Sequence, residues 1–323
     1  MGQQHHEAEL RRALLRLDPT LEIREVAVSG WRGSGRRVPS KAHWDLPLLP
    51  SSVVGRAVYG RCDLVHRFDL RLPPARHEVL TIHDLPPLRF DDEGGLPRHA
   101  VAAARRAAVV FVPSRFAEAE VRELLGVERV VVAHNGAPVA DLTIVPATAD
   151  VPFVVHAGGA TKRKNLPALA AAWAALKRRR PDLPHRLVLA GPPHPRRAEL
   201  FAELPDVCMP GFLGHRQSLA LIAAATVVVV PSTYEGFGLP ALEAMSLGRV
   251  VVAANRGALP EVCGHAALLC EPDPASLGLA LERAIDDEAL RGVLAALGPE
   301  QAARFTWEAA ARTVLEEYKR VLS

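Results

Sequence analysis

Short, continuously apolar runs alternate along the chain with longer stretches of helical periodicity. EIREVAV (22–28), VLTIH (79–83), VVFVP (109–113) and VVVA (130–133) form a first set of runs. FVVHA (153–157), LVLA (187–190), VVVVP (227–231) and VVVAA (250–254) form a second. A strand with one wet face would alternate, so runs without alternation suit strands buried on both faces. Between them, residues 7–17, 98–107, 114–125, 166–179, 216–225, 239–247, 275–285 and 307–321 carry apolar positions at helical spacing. Strand–helix alternation predicts βαβ units and parallel sheets.

The weakest periodicity, with two prolines, is in APVADLTIVPATADV at 137–151. Two Rossmann-like α/β domains are expected on either side, over 1–145 and 146–305. A last helix over 306–323 is expected to cross back to the first domain, with Thr306 as its N-cap and Glu308 in its first turn. A Rossmann-like half normally opens with a strand and a glycine-rich turn. Here the first element is the helical EAELRRALLRLDP, so the expectation is that the N-terminal domain lacks its first strand. Gly2 would be the tail of such a turn, and the expectation is a reading frame that begins upstream of Met1.

The length of 323 residues suits two domains of ordinary size. With 49% hydrophobic and only 5% aromatic residues, the cores should be aliphatic, as in helix-covered parallel sheets. A net charge of +3 does not argue for nucleic acid. One local excess stands out: SGWRGSGRRVPSK (29–41) holds Arg32, Arg36, Arg37 and Lys41 and no acid. It reads either as a solvated loop or as a contact for an anionic acceptor or a lipid surface. Cys62, Cys208, Cys263 and Cys270 form no CxxC pair and no zinc-like spacing with histidine, which fits a reducing cytoplasm. No apolar run reaches the ~18 residues of a membrane span, and the polar start MGQQHHEAEL has no signal-peptide core. The expected location is therefore cytoplasmic, with peripheral contact at the inner membrane face left open. The Ala/Arg/Pro-rich composition points to a bacterial genome of high GC content.

The chemistry concentrates between Val227 and Glu271. There a buried strand ends at Pro231, a glycine-containing loop follows, and a helix begins near Pro240 and stops before Gly248. The amino end of that helix carries unpaired N–H groups and partial positive charge, which suits a phosphate or a sugar hydroxyl. Glu235 lies on the loop, at the carboxyl end of a parallel strand where open α/β sheets bind ligands. Glu243 is expected in the first helical turn, where a carboxylate can accept two hydrogen bonds from a ribose diol. By spacing alone, the pair could equally be a dipole partner and a solvated side chain.

The whole string EGFGLPALEAM is more specific. It resembles the Glu-x7-Glu signature of retaining GT-B glycosyltransferases of family 4, the group 1 glycosyl transferases, which include many mannosyl-, rhamnosyl- and glucosyltransferases. HAGGATKRKNLPAL resembles that family's first donor-domain loop. LVLAG, MPGFLGH, RGALPEVCGHAALLCEPDP and RFTWEAAARTVLEEY follow in family order. In the first half, TIHDLPPLRF, VPSRFAEAEV and VVAHNG are also similar to family segments. The resemblance covers residues 75–322 well and the first 75 poorly.

The resemblance implies a GT-B fold, two Rossmann-like domains facing a central cleft, and transfer of a hexose from a nucleoside-diphosphate sugar to an acceptor hydroxyl on a glycan, a lipid-linked saccharide or a natural product. It implies a retaining, metal-independent enzyme whose donor is a substrate and which has no cofactor. Glu235 would lie against the donor sugar and Glu243 would bind the ribose. The amides of Phe237, Gly238 and Leu239 would face the diphosphate or sugar, with Gly2 also at the donor. Phe212 and Leu213 would lie near the base. Arg163 and Lys164 would neutralise the diphosphate, although the arginine that many relatives carry after the loop's first glycine is Gly159 here. His83 would stand near the transfer centre as a neutral imidazole; it also reads as a buried histidine fixing its loop. Other readings on the same fold are a sugar-nucleotide epimerase, a phosphorylase, or a non-catalytic sugar-nucleotide-binding partner subunit.

Overall fold

The computed structural model describes residues 2–28, 36–38, 51–97, 99–137 and 150–323. Most of the basic segment 29–41 and of the connection 137–151 therefore lies outside the described residues. By contacts, the chain divides into two compact units, one of Met1–Gly136 with Trp307–Ser323 and one of Ala137–Thr306. The sequence had suggested breaks after 145 and 305.

The first unit opens with helix α1 (Gly2–Leu17). Strands β1 (Val26–Val28) and β2 (Arg36–Val38) pair in parallel as a two-stranded sheet. Helix α2 (Ser51–Tyr59) follows. Then β3 (Val65–Arg67), β4 (Glu78–Thr81), β5 (Val110–Val112) and β6 (Val130–Val132) form a four-stranded parallel sheet in chain order. Helices α3 (Ala100–Arg106) and α4 (Arg115–Leu125) connect its later strands. Ser114 caps α4 by accepting from the Ala117 N–H at 3.0 Å, and Gly126 ends it in the left-handed region at φ 63°. On one face of the sheet, Leu10, Ala13 and Leu14 of α1 pack with Val79, Phe111 and Ala133 and with Trp307, Ala311 and Val314 of the last helix, Trp307–Leu322. The chain thus completes this core only after traversing the second unit.

In the second unit β7 (Phe153–Ala157) leads through α5 (Leu166–Arg179) to β8 (Arg186–Ala190), and α6 (Pro195–Phe201) leads to β9 (Val207–Gly211). Next come α7 (His215–Ala224), β10 (Val227–Val230), α8 (Leu239–Ser246), β11 (Val250–Ala254), α9 (Leu259–Cys263) and β12 (Leu268–Cys270). Helices α10 (Pro274–Asp286) and α11 (Glu288–Ala302) close the unit. The six strands are all parallel, in the order β12-β11-β10-β7-β8-β9. Read from β9, this is the doubly wound order 3-2-1-4-5-6 of a Rossmann sheet. Both faces are covered: Phe237, Leu242, Met245 and Leu259 pack on one, and Leu166, Trp173, Leu176 and Leu281 on the other. This two-sided burial explains the continuous valine runs.

Candidate functional site

The strand order reverses between β7 and β10, which are neighbours in the sheet although three helices and two strands separate them in sequence. Open α/β sheets bind ligands at such a point, beyond the carboxyl ends of the strands, because the two following loops diverge there. One loop runs from Gly158 through a single 3-10 turn, Lys162–Lys164, to Asn165. The other runs from Pro231 to Gly238. They are tied by the Thr233 N–H donating to Arg163 O at 2.9 Å.

This tie brings Arg163, Lys164 and Glu235 together. Lys164 Nζ donates to Glu235 Oε1 at 2.6 Å and Arg163 Nη1 to Oε2 at 3.2 Å. The carboxylate is only 7% exposed, against 11% and 18% for its partners. Burial alone would raise the Glu235 pKa; the Lys164 and Arg163 charges together outweigh it, so the group lies below its ordinary value and is ionised at neutral pH. The sequence had set these cations against a diphosphate. In the folded chain Glu235 holds both of them, so the cluster carries one net positive charge.

Residues to which the sequence assigned no role hold this cluster in place. Asn165 adopts φ 54°, a left-handed conformation that asparagine tolerates. Its Nδ2 donates to Pro231 O at 3.0 Å and Pro272 O at 2.7 Å, stitching the loops after β7, β10 and β12 together. Gly257, at φ 62°, lies under Glu235: a Cβ there would come within 2.7 Å of Glu235 O and 2.8 Å of its N. The next amide, Ala258 N–H, donates to Glu235 O at 3.0 Å. Arg197 is buried and ties the loop after β7, at Gly158 O, to the loop after β8, at Pro192 O (3.1 Å). Arg196 adds Ala160 O at 2.7 Å. The buried His156 bonds Val229 O at 3.2 Å, and burial pushes its pKa down to about 4. A glycine or an RKN string in a strand–helix turn signals a close approach, but not which loop approaches.

Helix α8 begins at Leu239, with Gly238 as its N-cap at φ 100°. Pro240 brings no N–H and the Ala241 N–H donates to Gly238 O at 3.0 Å, so a ligand at this end would meet the amides of Gly238 and Leu239. The expectation that Glu243 lies in the first turn is corrected: Pro240 is the second helical residue, so Glu243 is the fifth and falls in the next turn. Side chains lean back along a helix, so its carboxylate still reaches toward the amino end. The Glu243 carboxylate is 13% exposed, and its nearest ionic partner among the described residues is His215 Nδ1, 3.8 Å from Oε1. Burial pushes its pKa up to about 7. His215 opens α7 after the N-cap Gly214; before that come Phe212, which is 57% exposed, and Leu213, which is half-buried. Phe237 is buried against Phe305, so only its backbone can serve a ligand.

The remaining candidates lie in the first unit. Gly2 is the first residue of α1. His83 follows β4 and is half-buried, its ring edge-on to His6 at 4.5 Å between centroids. Its Nε2 has no hydrogen-bond partner, and burial pushes its pKa down to about 4, so it is neutral at pH 7. His6 in turn bonds Asn135 Oδ1 at 2.7 Å. Among the described residues no three His, Cys, Asp or Glu side chains gather as a metal-holding group, and no helix is long and apolar enough to cross a membrane.

Known proteins share this fold. A curated relative, the O-antigen chain mannosyltransferase B of Escherichia coli, is 43% identical over 100 residues, 31% of this chain and 26% of that protein. The chain spans between 21% and 48% of the length of the first curated relatives it matches. The sucrose-phosphate synthase of Thermosynechococcus elongatus superposes with a TM-score of 0.68 at 26% identity, over 83% of this chain and 75% of that one. Anabaena HepE, solved with UDP-glucose, shares the fold with a TM-score of 0.65 at 21% identity, over 80% and 79%. The architecture of two parallel-sheet α/β units is that of the GT-B glycosyltransferases. Residues 151–287, which contain the Arg163–Lys164–Glu235 cluster and Glu243, match the family model for glycosyl transferases, group 1.

Proposed function

We propose that the protein transfers a hexose from a nucleoside-diphosphate sugar to an acceptor hydroxyl with retention of anomeric configuration, and that its second unit holds the donor. The observation that carries this reading is the buried Arg163–Lys164–Glu235 cluster at the β7/β10 switch point, its Glu235 three residues before the Gly238 N-cap of α8. The E. coli relative is a mannosyltransferase and HepE was solved with UDP-glucose, which supports a nucleotide-linked hexose as donor.

In this reading the diphosphate lies against the amides of Gly238 and Leu239 and the cationic side of the cluster, and Glu243 accepts hydrogen bonds from the ribose diol. Glu235 is a poor nucleophile, since each of its oxygens is held by a cation and its basicity is lowered. Front-face substitution therefore suits the site better than double displacement. The bond from the anomeric carbon to the phosphate oxygen breaks. The acceptor oxygen bonds to the same face, and the departing phosphate oxygen takes the acceptor's proton. The protein contributes orientation and charge stabilisation, with Arg163, Lys164 and the helix amides in place of a divalent cation.

The test is a screen of UDP-, GDP-, ADP- and TDP-linked hexoses for release of nucleoside diphosphate, with and without EDTA, and with NMR assignment of the new glycosidic bond. Release insensitive to EDTA and a retained configuration are expected. Isomerised donor without release would instead identify an epimerase. Binding of every donor without even slow hydrolysis would identify a non-catalytic subunit.

A further inference from the structure

Glu243 is anomalous within its own unit. Its carboxylate is nearly enclosed, yet among the described residues no backbone or side-chain group donates a hydrogen bond to it. A buried carboxylate without donors costs several kcal/mol, which is why such groups are normally paired. The elements packed against α8 do not supply a pair. Strands β10 and β11 carry only valine and alanine, and α9 brings Glu261 and Cys263. Helix α11 brings Glu288, Arg291 and Glu300, and meets α8 with Gly298 against Met245. Of the titratable groups on these elements and on α7, only His215 comes within ion-pair distance of Glu243, its Nδ1 facing Oε1 at 3.8 Å.

We infer that His215 is a positioning residue for nucleotide binding: its imidazole fixes the Glu243 carboxylate through Oε1 and leaves Oε2 to accept from a ribose diol. The inference rests on the donor reading above. His215 is the first residue of α7, and Gln217 Oε1 accepts from the Gly214 N–H at 2.9 Å, which anchors the turn that carries the imidazole. The side chain is 40% exposed and so stays in contact with solvent protons. A protonated imidazole stabilises the carboxylate against its burial, and so extends toward lower pH the range in which Glu243 accepts two hydrogen bonds. The α7 turn therefore contributes directly to ribose recognition. Phe212 sits three residues earlier on the same turn.

The experiment measures the affinity of UDP, GDP, ADP and their 2′,3′-dideoxy forms by calorimetry from pH 6 to 8.5. It uses the wild type and the His215→Leu, His215→Asn and Glu243→Gln variants. His215→Leu is expected to weaken ribonucleotides about five- to tenfold, the scale of one net hydrogen bond, to leave the dideoxy forms unchanged, and to move the midpoint of the pH profile upward. His215→Asn, whose amide can donate to Oε1, should recover most of the loss. Equal weakening of ribo and dideoxy forms, or an unchanged pH midpoint, overturns the inference. If Glu243→Gln removes the preference for ribose while His215→Leu does not, only the role of His215 fails. If the wild type binds no nucleoside diphosphate, or shows no preference for ribose, the donor reading fails with it.

Discussion

Replacing Lys164 by methionine would remove the shorter of the two bonds to Glu235 and keep the length of the side chain. At an effective dielectric constant of about 20, a contact of 2.6 Å corresponds to about 6 kcal/mol of Coulomb attraction and one of 3.2 Å to about 5 kcal/mol, before desolvation is subtracted. Breaking a buried pair by deleting one partner costs about 3–5 kcal/mol. Here Arg163 still neutralises the carboxylate, so the expected loss for Lys164→Met is about 2–3 kcal/mol of unfolding free energy. Glu235→Gln leaves two cations facing each other and should cost about 3–5 kcal/mol. The double variant should lose less than the sum, with a coupling of about 1–3 kcal/mol. Urea unfolding of the four proteins measures this cycle. Turnover of a nucleotide-sugar donor should fall about 100-fold or more in Lys164→Met, the scale for one lost transition-state donor. Because the Glu235 pKa is lowered, its contribution to stability is present above the unfolded-state value and lost as pH falls through the folded value. Wild type should therefore show an acid limb that Glu235→Gln lacks. Additive stability effects would refute the ion cluster. A stability loss with unchanged turnover would refute its catalytic use and leave it as a loop brace.

Three further outcomes follow from the same geometry. Glu243→Gln should stabilise the protein at pH 8 by up to about 3 kcal/mol while weakening nucleotide binding, because a carboxyl raised to about 7 contributes stability below its unfolded value that is lost as pH rises through 7; equal stability of the two proteins at pH 5 and at pH 8 would contradict this. Gly257→Ala should lower both stability and turnover, since the added methyl would have to displace the Glu235 backbone from 2.7 Å; a crystal structure of the variant with Glu235 unmoved would contradict it. Asn165→Gly keeps the left-handed backbone but deletes two bonds to carbonyl oxygens, so it should cost about 1–3 kcal/mol in thermal or chemical unfolding. Asn165→Ala should cost more than the glycine variant, because the strained backbone remains.

Sequence periodicity missed β2, β3, β9 and β12. β2, β3 and β9 contain Arg36, His66 and Pro210 and lack a continuous apolar run, whereas β12 is a run of only three strand residues, Leu268–Cys270. Helix α11 escaped because Gly292, Gly298 and Pro299 lower its helical signal. Gly298 is there for packing: a Cβ would stand 2.9 Å from Met245 O, so only glycine lets α11 approach α8 so closely. The site was legible as a set of residues, since Arg163, Lys164, Glu235 and Glu243 all sit in motif-bearing turns. Their partnership was not, because it depends on β7 and β10 being neighbours across 70 residues of chain. The same holds for His215 and Glu243.

What the sequence determined by itself was local: valine runs that must be buried on both faces, glycine and proline that start and stop α8, and charged residues held in the turns between. Those signals depend on nearest neighbours along the chain, and they need no partner to be read. Only the tertiary structure decided that Glu235 binds both cations, that Gly257 must lack a side chain beneath it, and that the Glu243 carboxylate faces an imidazole from another helix. Such pairings depend on sheet order and helix packing, and distances of a few ångströms between residues far apart in sequence leave no periodic trace in it.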